Sequence, residues 1–174
     1  MYMKITKKGF TLVELLIVIA LLGALAVGLL AALDPFEQLK KGNDTGTRNL
    51  VSEVQGAVIR YYALKGWMPW CTATDTCDDI SSATNLSSSP MDDAISRIVD
   101  SGELKADFTS LAASNLGKVF VTGDANNAKV CFQPTSKSFK CDPNTKFQQN
   151  GDAAADPADC TTSCGTNTCY WCVK

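Results

Sequence analysis

The 174-residue chain has no histidine. It therefore lacks the imidazole that triad and most acid–base chemistry rely on, and the commonest side-chain metal ligand. No glycine-rich phosphate loop of the usual pattern appears. The carboxylate pairs Asp78-Asp79 and Asp92-Asp93 are adjacent in sequence, which suits a solvated surface and not an acid facing a base. After Trp70 there are 8 basic and 13 acidic residues with no basic cluster. One subunit therefore offers no electrostatic stripe for nucleic acid. Enzymatic function recedes, and no cofactor is expected. Two further absences organise the chain: no charged residue lies between Leu15 and Leu33, and no cysteine precedes Cys71.

The uncharged stretch belongs to KKGFTLVELLIVIALLGALAVGLLAAL, Lys7 to Leu33. A helix from Phe10 to Leu33 would be about 36 Å long at ~1.5 Å per residue, enough for a hydrocarbon core of about 30 Å. A secretory signal has a shorter apolar core, followed by small residues at its cleavage site. Here the run is longer and the small residue, Gly9, precedes it. Glu14 is the one ionisable group inside, and a carboxylate in such a segment marks a functional site by default. Lys4, Lys7 and Lys8 precede the span, which favours an inside N-terminus, although Lys40 and Lys41 follow it.

GFTLVELLIVIALLG resembles the leader boundary and assembly segment of type IV pilins and of the related type II secretion pseudopilins. The resemblance implies cleavage between Gly9 and Phe10 by a prepilin peptidase, N-methylation of Phe10, and an assembly role for Glu14. A weaker likeness continues to Trp70, where YYALKGWMPW is similar to the end of the long pilin helix. What the family implies as partners is the chain itself in a helical homopolymer, the peptidase, a membrane assembly platform and minor pilins. It also implies a single-pass precursor in the cytoplasmic membrane, N-terminus in, and an extracellular filament once assembled.

Four segments are expected: a leader (1–9), a membrane and filament-core helix (10–33), an amphipathic helix (34–66) and an exported cysteine-rich head (67–174). Asp34-Pro35 is read as a kink in one continuous helix, on the family's shape; the other reading is a break, with Asp34 capping a second helix. Gly42, Asn43, Asp44 and Gly46 weaken the turns that follow, so local melting is expected there. From Leu50 to Tyr62 apolar residues recur at three- and four-residue steps. Gly66 ends that helix. Residues 67–89 read as a loop, and Ser89-Pro90 as a helix start running to Gly102. Leu104, Phe108 and Leu111 are expected to anchor the next connection. KVFVT (118–122) and AKVCF (128–132) around a Gly-Asp-Ala-Asn-Asn turn form a hairpin, joined by a third strand near Ser138–Lys140. The turn has too few charged oxygens for calcium. Residues 142–159 read as surface loop. The fold class is α+β: a long kinked helix on a small antiparallel sheet, with disulfide-braced loops.

Cys71, Cys77, Cys131, Cys141, Cys160, Cys164, Cys169 and Cys172 form an even set on the translocated side, which reads as a disulfide framework. Their pairing stays open among about 105 possibilities. Cys71–Cys77 and Cys131–Cys141 suggest themselves. A zinc knuckle of Cys160, Cys164, Cys169 and Cys172, and a redox pair at Cys169-x2-Cys172, are the rival uses, neither favoured outside the membrane; no metal is expected. Asn43-Asp44-Thr45 and Asn85-Leu86-Ser87 match the glycosylation pattern, and Asn85 is the better placed. The functional expectation is a structural filament subunit, a pilin. Its alternatives are a pseudopilin of a type II secretion or competence DNA-uptake machine, and a single-pass anchored binding module that does not polymerise.

Overall fold

A computed structural model describes residues 9–73, 76–78, 80–154, 160 and 168–174. The leader lysines Lys4, Lys7 and Lys8, and Cys164, lie outside the described residues. The chain divides into two compact units, Met1–Gln38 and Leu39–Lys174.

In the first unit, helix α1 (Leu12–Ala32) contains the apolar run. It is followed by helix α2 (Pro35–Lys65), most of which belongs to the second unit. The expected continuous kinked helix is in fact two helices. Leu33 and Asp34 leave helical geometry, and the Glu37 backbone N–H donates to Asp34 Oδ1 at 3.4 Å. Pro35, with no N–H of its own, fits the first turn of a new helix better than the interior of an old one.

The expected weak point in α2 is likewise helical throughout. Asp44 is only 3% exposed, and its carboxylate accepts five hydrogen bonds from Thr135 and Ser136. A tertiary anchor thus overrides the low propensity of Gly42, Asn43 and Gly46. Further along, Val51, Val54, Ala57, Val58 and Tyr61 form the buried face of α2, and Tyr62 lies half-buried beside it. Each of the buried valines contributes about 1.5–3 kcal/mol by leaving water. Gly66, at φ +80°, takes the left-handed conformation that ends the helix.

The second unit contains two sheets. A short ribbon pairs β1 (Cys71–Ala73) with β2 (Thr76–Cys77). The main sheet has five antiparallel strands: β3 (Ile80–Asn85), β4 (Val119–Gly123), β5 (Ala128–Phe132), β6 (Thr145–Phe147) and β7 (Tyr170–Val173), in the order β3-β4-β5-β7-β6. The β4–β5 hairpin matches the sequence expectation. Its Asp124 Oδ1 accepts the backbone N–H groups of Asn126 and Asn127, closing the turn. Gly123 is required there, since a Cβ would stand 2.6 Å from the Trp70 ring. Trp70 is buried and donates its indole N–H to the Asp124 carbonyl.

Several expectations are corrected. Ser138–Lys140 is not a strand but part of a helical turn, α5 (Lys137–Lys140), capped by the Ser136 hydroxyl. The hairpin is instead joined by β3 alongside β4 and by the tail, β7, which lies between β5 and β6. The serine-rich stretch expected to be loop supplies β3 on the sheet edge, where Ser81 and Ser82 are exposed and polar side chains cost little. Helix α3 (Met91–Asp100) begins near Ser89, but no side chain caps it. The connection after Gly102 buries Leu104 and contains helix α4 (Phe108–Leu116), in which Phe108 is buried while Leu111 is 72% exposed.

Candidate assembly site

The residues singled out for processing and assembly lie at the entrance to α1. Gly9 and Phe10 precede the helix and are exposed, and Thr11 is its N-cap. Thr11 and Glu14 form a capping box. The Glu14 N–H donates to Thr11 Oγ1 at 3.2 Å, while Glu14 Oε2 accepts from the Thr11 N–H at 2.9 Å and the Thr11 hydroxyl at 2.8 Å. The box satisfies orphan donors of the first turn and sets an anion at the positive end of the helix dipole. The sequence carries the signal, Thr-x-x-Glu before an apolar run, but the resemblance had directed attention to Glu14 alone. Thr11 is therefore the residue of this site that sequence reasoning missed.

Downstream of the box, α1 is apolar on every side. Its 21 residues span about 32 Å at ~1.5 Å each, and none is buried. A helix apolar all round needs an apolar medium, either a bilayer or the matching helices of other subunits. By length and composition α1 suits such a crossing. A Cβ at Gly9 would meet nothing within 4 Å, so packing does not explain a glycine there.

The family model for the prokaryotic N-terminal methylation motif matches residues 5–30. That span contains Gly9, Phe10, Thr11 and Glu14 and most of the bare apolar helix. The chain carries the N-terminal methylation motif of type IV pilin-type proteins. Among curated relatives, the fimbrial protein EcpC of Eikenella corrodens is 40% identical over 67 residues, 38% of this chain and 42% of that protein. The chain thus aligns with less than half the length of that relative. No solved structure matches. Both similarities are to pilin-type sequences.

In the head, the cysteines among the described residues pair as Cys71–Cys77, Cys131–Cys172 and Cys160–Cys169. The suggested partnership of Cys131 with Cys141 is corrected. Strands β5 and β7 are neighbours and place Cys131 directly opposite Cys172. Cys169 and Cys172 have different partners, so the tail Cys-x2-Cys is not a dithiol pair, and three of the four sulfurs of the considered knuckle are in disulfides. Cys131–Cys172 encloses the connection from 132 to 171, which contains α5 and β6, and so binds the tail strand into the sheet. Such bridges contribute about 2–4 kcal/mol each, chiefly by restricting the unfolded chain.

The Tyr170-Trp171 pair supports the same attachment. Trp171 packs on Phe132 with ring centroids 5.7 Å apart, and the Arg48 guanidinium of α2 lies 4.8 Å from its ring. Asn85, the better glycosylation candidate, is occupied structurally. Its amide donates to the Gly117 carbonyl at 2.7 Å, and its Oδ1 accepts from both the N–H and the hydroxyl of Ser87.

Proposed function

We propose that this chain is a structural subunit of a type IV pilus-like filament. It is inserted as a single-pass precursor and cut between Gly9 and Phe10 by a prepilin peptidase. Phe10 is then methylated, and a membrane platform packs the α1 helices into a filament core. The observation that carries this reading is a 21-residue apolar helix with no residue buried, opened by one carboxylate in its first turn. In a plain anchor that carboxylate would serve only as a helix cap, whereas a polymer has a second use for it. Cleavage creates a cationic amine on Phe10, which can meet Glu14 of a neighbouring subunit during assembly. The Thr11–Glu14 box holds the carboxylate in an acceptor-ready position until then, because its other oxygen, Oε1, is not used by the box.

The attraction between such charges is about 4 kcal/mol at ~4 Å and an effective dielectric near 20. Desolvation offsets much of it, so the pair favours axial register more than net stability. Mass spectrometry of fibres sheared from cells tests the reading. A dominant chain beginning at N-methylated Phe10 is expected. Cell-surface protein that retains residues 1–9, or fibres lacking this chain, would refute it and favour an anchored binding module or a pseudopilin.

A further inference from the structure

The apolar face of α2 runs on beyond the part that the head covers. Leu50, Ala57 and Tyr61 share that face and pack on the core. Leu39 lies about three turns before Leu50, on the same face. It is nevertheless 67% exposed, and Phe36, one turn earlier, is 72% exposed. Glu37, Gln38, Lys40 and Lys41 surround the pair in sequence, so the hydrocarbon medium that suits α1 does not suit these residues. The head also carries an unfilled recess. A groove of about 370 Å³ lies between α2 and α4, lined by Gly46, Leu50 and Glu53 and by Phe108, Leu111 and Ala112. Both sets are helically spaced. Phe108 and Ala112 are buried, Leu50 is half-buried and Leu111 stands exposed. Gly46 keeps the groove open, since no atom lies within 4 Å of where its Cβ would be. Among the described residues no buried polar side chain is left unsatisfied there, so the groove lacks the convergent polar groups that orient a small polar ligand. Its form is that of a slot between helices for apolar side chains carried on another helix.

We propose that this groove receives Leu39 and Phe36 of a second copy of the chain, with the two α2 helices parallel and staggered. The contact rests on the filament reading and adds to it what sets the stagger of the heads. Placing Leu39 of one copy beside Leu50 of the next offsets them by 11 residues, about 16 Å along α2. Knob and groove are different patches of one surface, so each copy docks its knob on one neighbour and offers its groove to another. Because of the axial offset, such head-to-tail contacts cannot close into a ring and build an open row. Charge permits the match. Glu53 and Lys105 line the groove, and Glu37 and Lys40 lie on either side of Leu39 in sequence. Each surface thus carries one charge of each sign, so copies meet without net repulsion and Lys40 can approach Glu53. A buried phenylalanine covers about 150–250 Å², and even with Leu39 the contact stays well below the ~1,000 Å² that a free-standing pair needs. It therefore forms only between subunits already aligned through α1.

The test uses the full chain in fibre-forming cells. With the photoreactive p-benzoylphenylalanine in place of Phe36, irradiation of sheared fibres should give a cross-linked dimer joined at residues 105–115 or 46–53 of the other copy. Leu39→Lys and Leu111→Glu should each lower fibre yield by about tenfold or more, the effect of spoiling one packed interface anchor. Both side chains are exposed, so the unfolding midpoints of the detergent-solubilised subunits should not move. The double variant should recover part of the lost yield, because the introduced ammonium and carboxylate then face each other across the contact. Should either variant misfold, the cross-link alone decides. Cross-links from position 36 only elsewhere in the chain, to another protein or to lipid would overturn the contact. So would normal yield from Leu111→Glu, or a double variant no better than the worse single one. Each of these leaves the filament reading in place, whereas fibres without this chain would overturn both.

Discussion

Removal of the Asp44 carboxylate is the sharpest perturbation of the head. Asp44 Oδ1 accepts from the Thr135 N–H at 3.1 Å and the Thr135 hydroxyl at 2.9 Å. Asp44 Oδ2 accepts from the N–H groups of Thr135 and Ser136 at 3.0 and 2.7 Å, and from the Ser136 hydroxyl at 2.6 Å. In Asp44→Ala the donors of exposed Thr135 turn to water at little cost. Ser136 is 1% exposed, so its two donors are stranded. At about 1–3 kcal/mol for each stranded donor, less the desolvation no longer imposed on the carboxylate, the loss should be about 2–5 kcal/mol. Asp44→Asn keeps one acceptor oxygen but turns an NH2 toward a donor, so a loss of about 1–3 kcal/mol is expected.

The assay is urea unfolding of the full chain in detergent with disulfides intact, followed by the fluorescence of buried Trp70 and Trp171. Ser136→Ala in the Asp44→Ala background removes the stranded hydroxyl, so the double variant should be more stable than the sum of the single losses, by about 1 kcal/mol. An Asp44→Ala loss below about 0.5 kcal/mol, or strict additivity in the cycle, would refute the buried-anchor argument.

Gly9→Val should leave uncut precursor in the membrane without disturbing the fold, since no atom lies within 4 Å of the added Cβ; mature protein appearing at the normal rate would dismiss the processing site. Glu14→Leu should insert normally and be cut at least in part but yield no fibres, with Glu14→Asp intermediate; fibre yield against membrane-held mature subunit measures this, and normal fibres from Glu14→Leu would end the ion-pair mechanism. Thiol labelling under denaturing, non-reducing conditions should find no reactive cysteine. Since six cysteines pair among themselves, complete oxidation requires a linked Cys141–Cys164 peptide, and its absence from a non-reduced digest would count against a fourth bridge. Asp124 is held below the ordinary carboxylate range first by the Asn126 N–H and then by the Asn127 side-chain amide. Its contribution to stability is therefore full above the unfolded pKa of about 3.9 and is lost as pH falls through the lower folded value. Asp124→Asn should flatten the acid limb of the unfolding midpoint below about pH 4, and an unchanged limb would contradict it.

What the sequence by itself determined was whatever depends on neighbours along the chain. The apolar run of α1, the C-terminal end of α2 and the β4–β5 hairpin follow from local periodicity or Gly and Asn turn chemistry and were legible, and the Cys71–Cys77 bridge was one suggestion that short spacing offered. The Thr11–Glu14 box was legible too, by the same local rule, had the first turn been read for its caps. Tertiary structure decided what depends on partners far away in the chain. Tyr170–Val173 became a strand between β5 and β6 because the edge of β5 accepted it and Cys131 closed on Cys172, 41 residues on. Polar Ile80–Asn85 became a strand because β4 supplied its hydrogen-bond ladder. Asp44, judged by helix propensity, belonged to a weak turn; buried against Thr135 and Ser136, some 91 residues away, it became an anchor. A propensity difference is worth up to about 1 kcal/mol per residue, whereas a buried charge-assisted hydrogen bond is worth about 1.5–3. At each of these positions the long-range term therefore outweighed the local one.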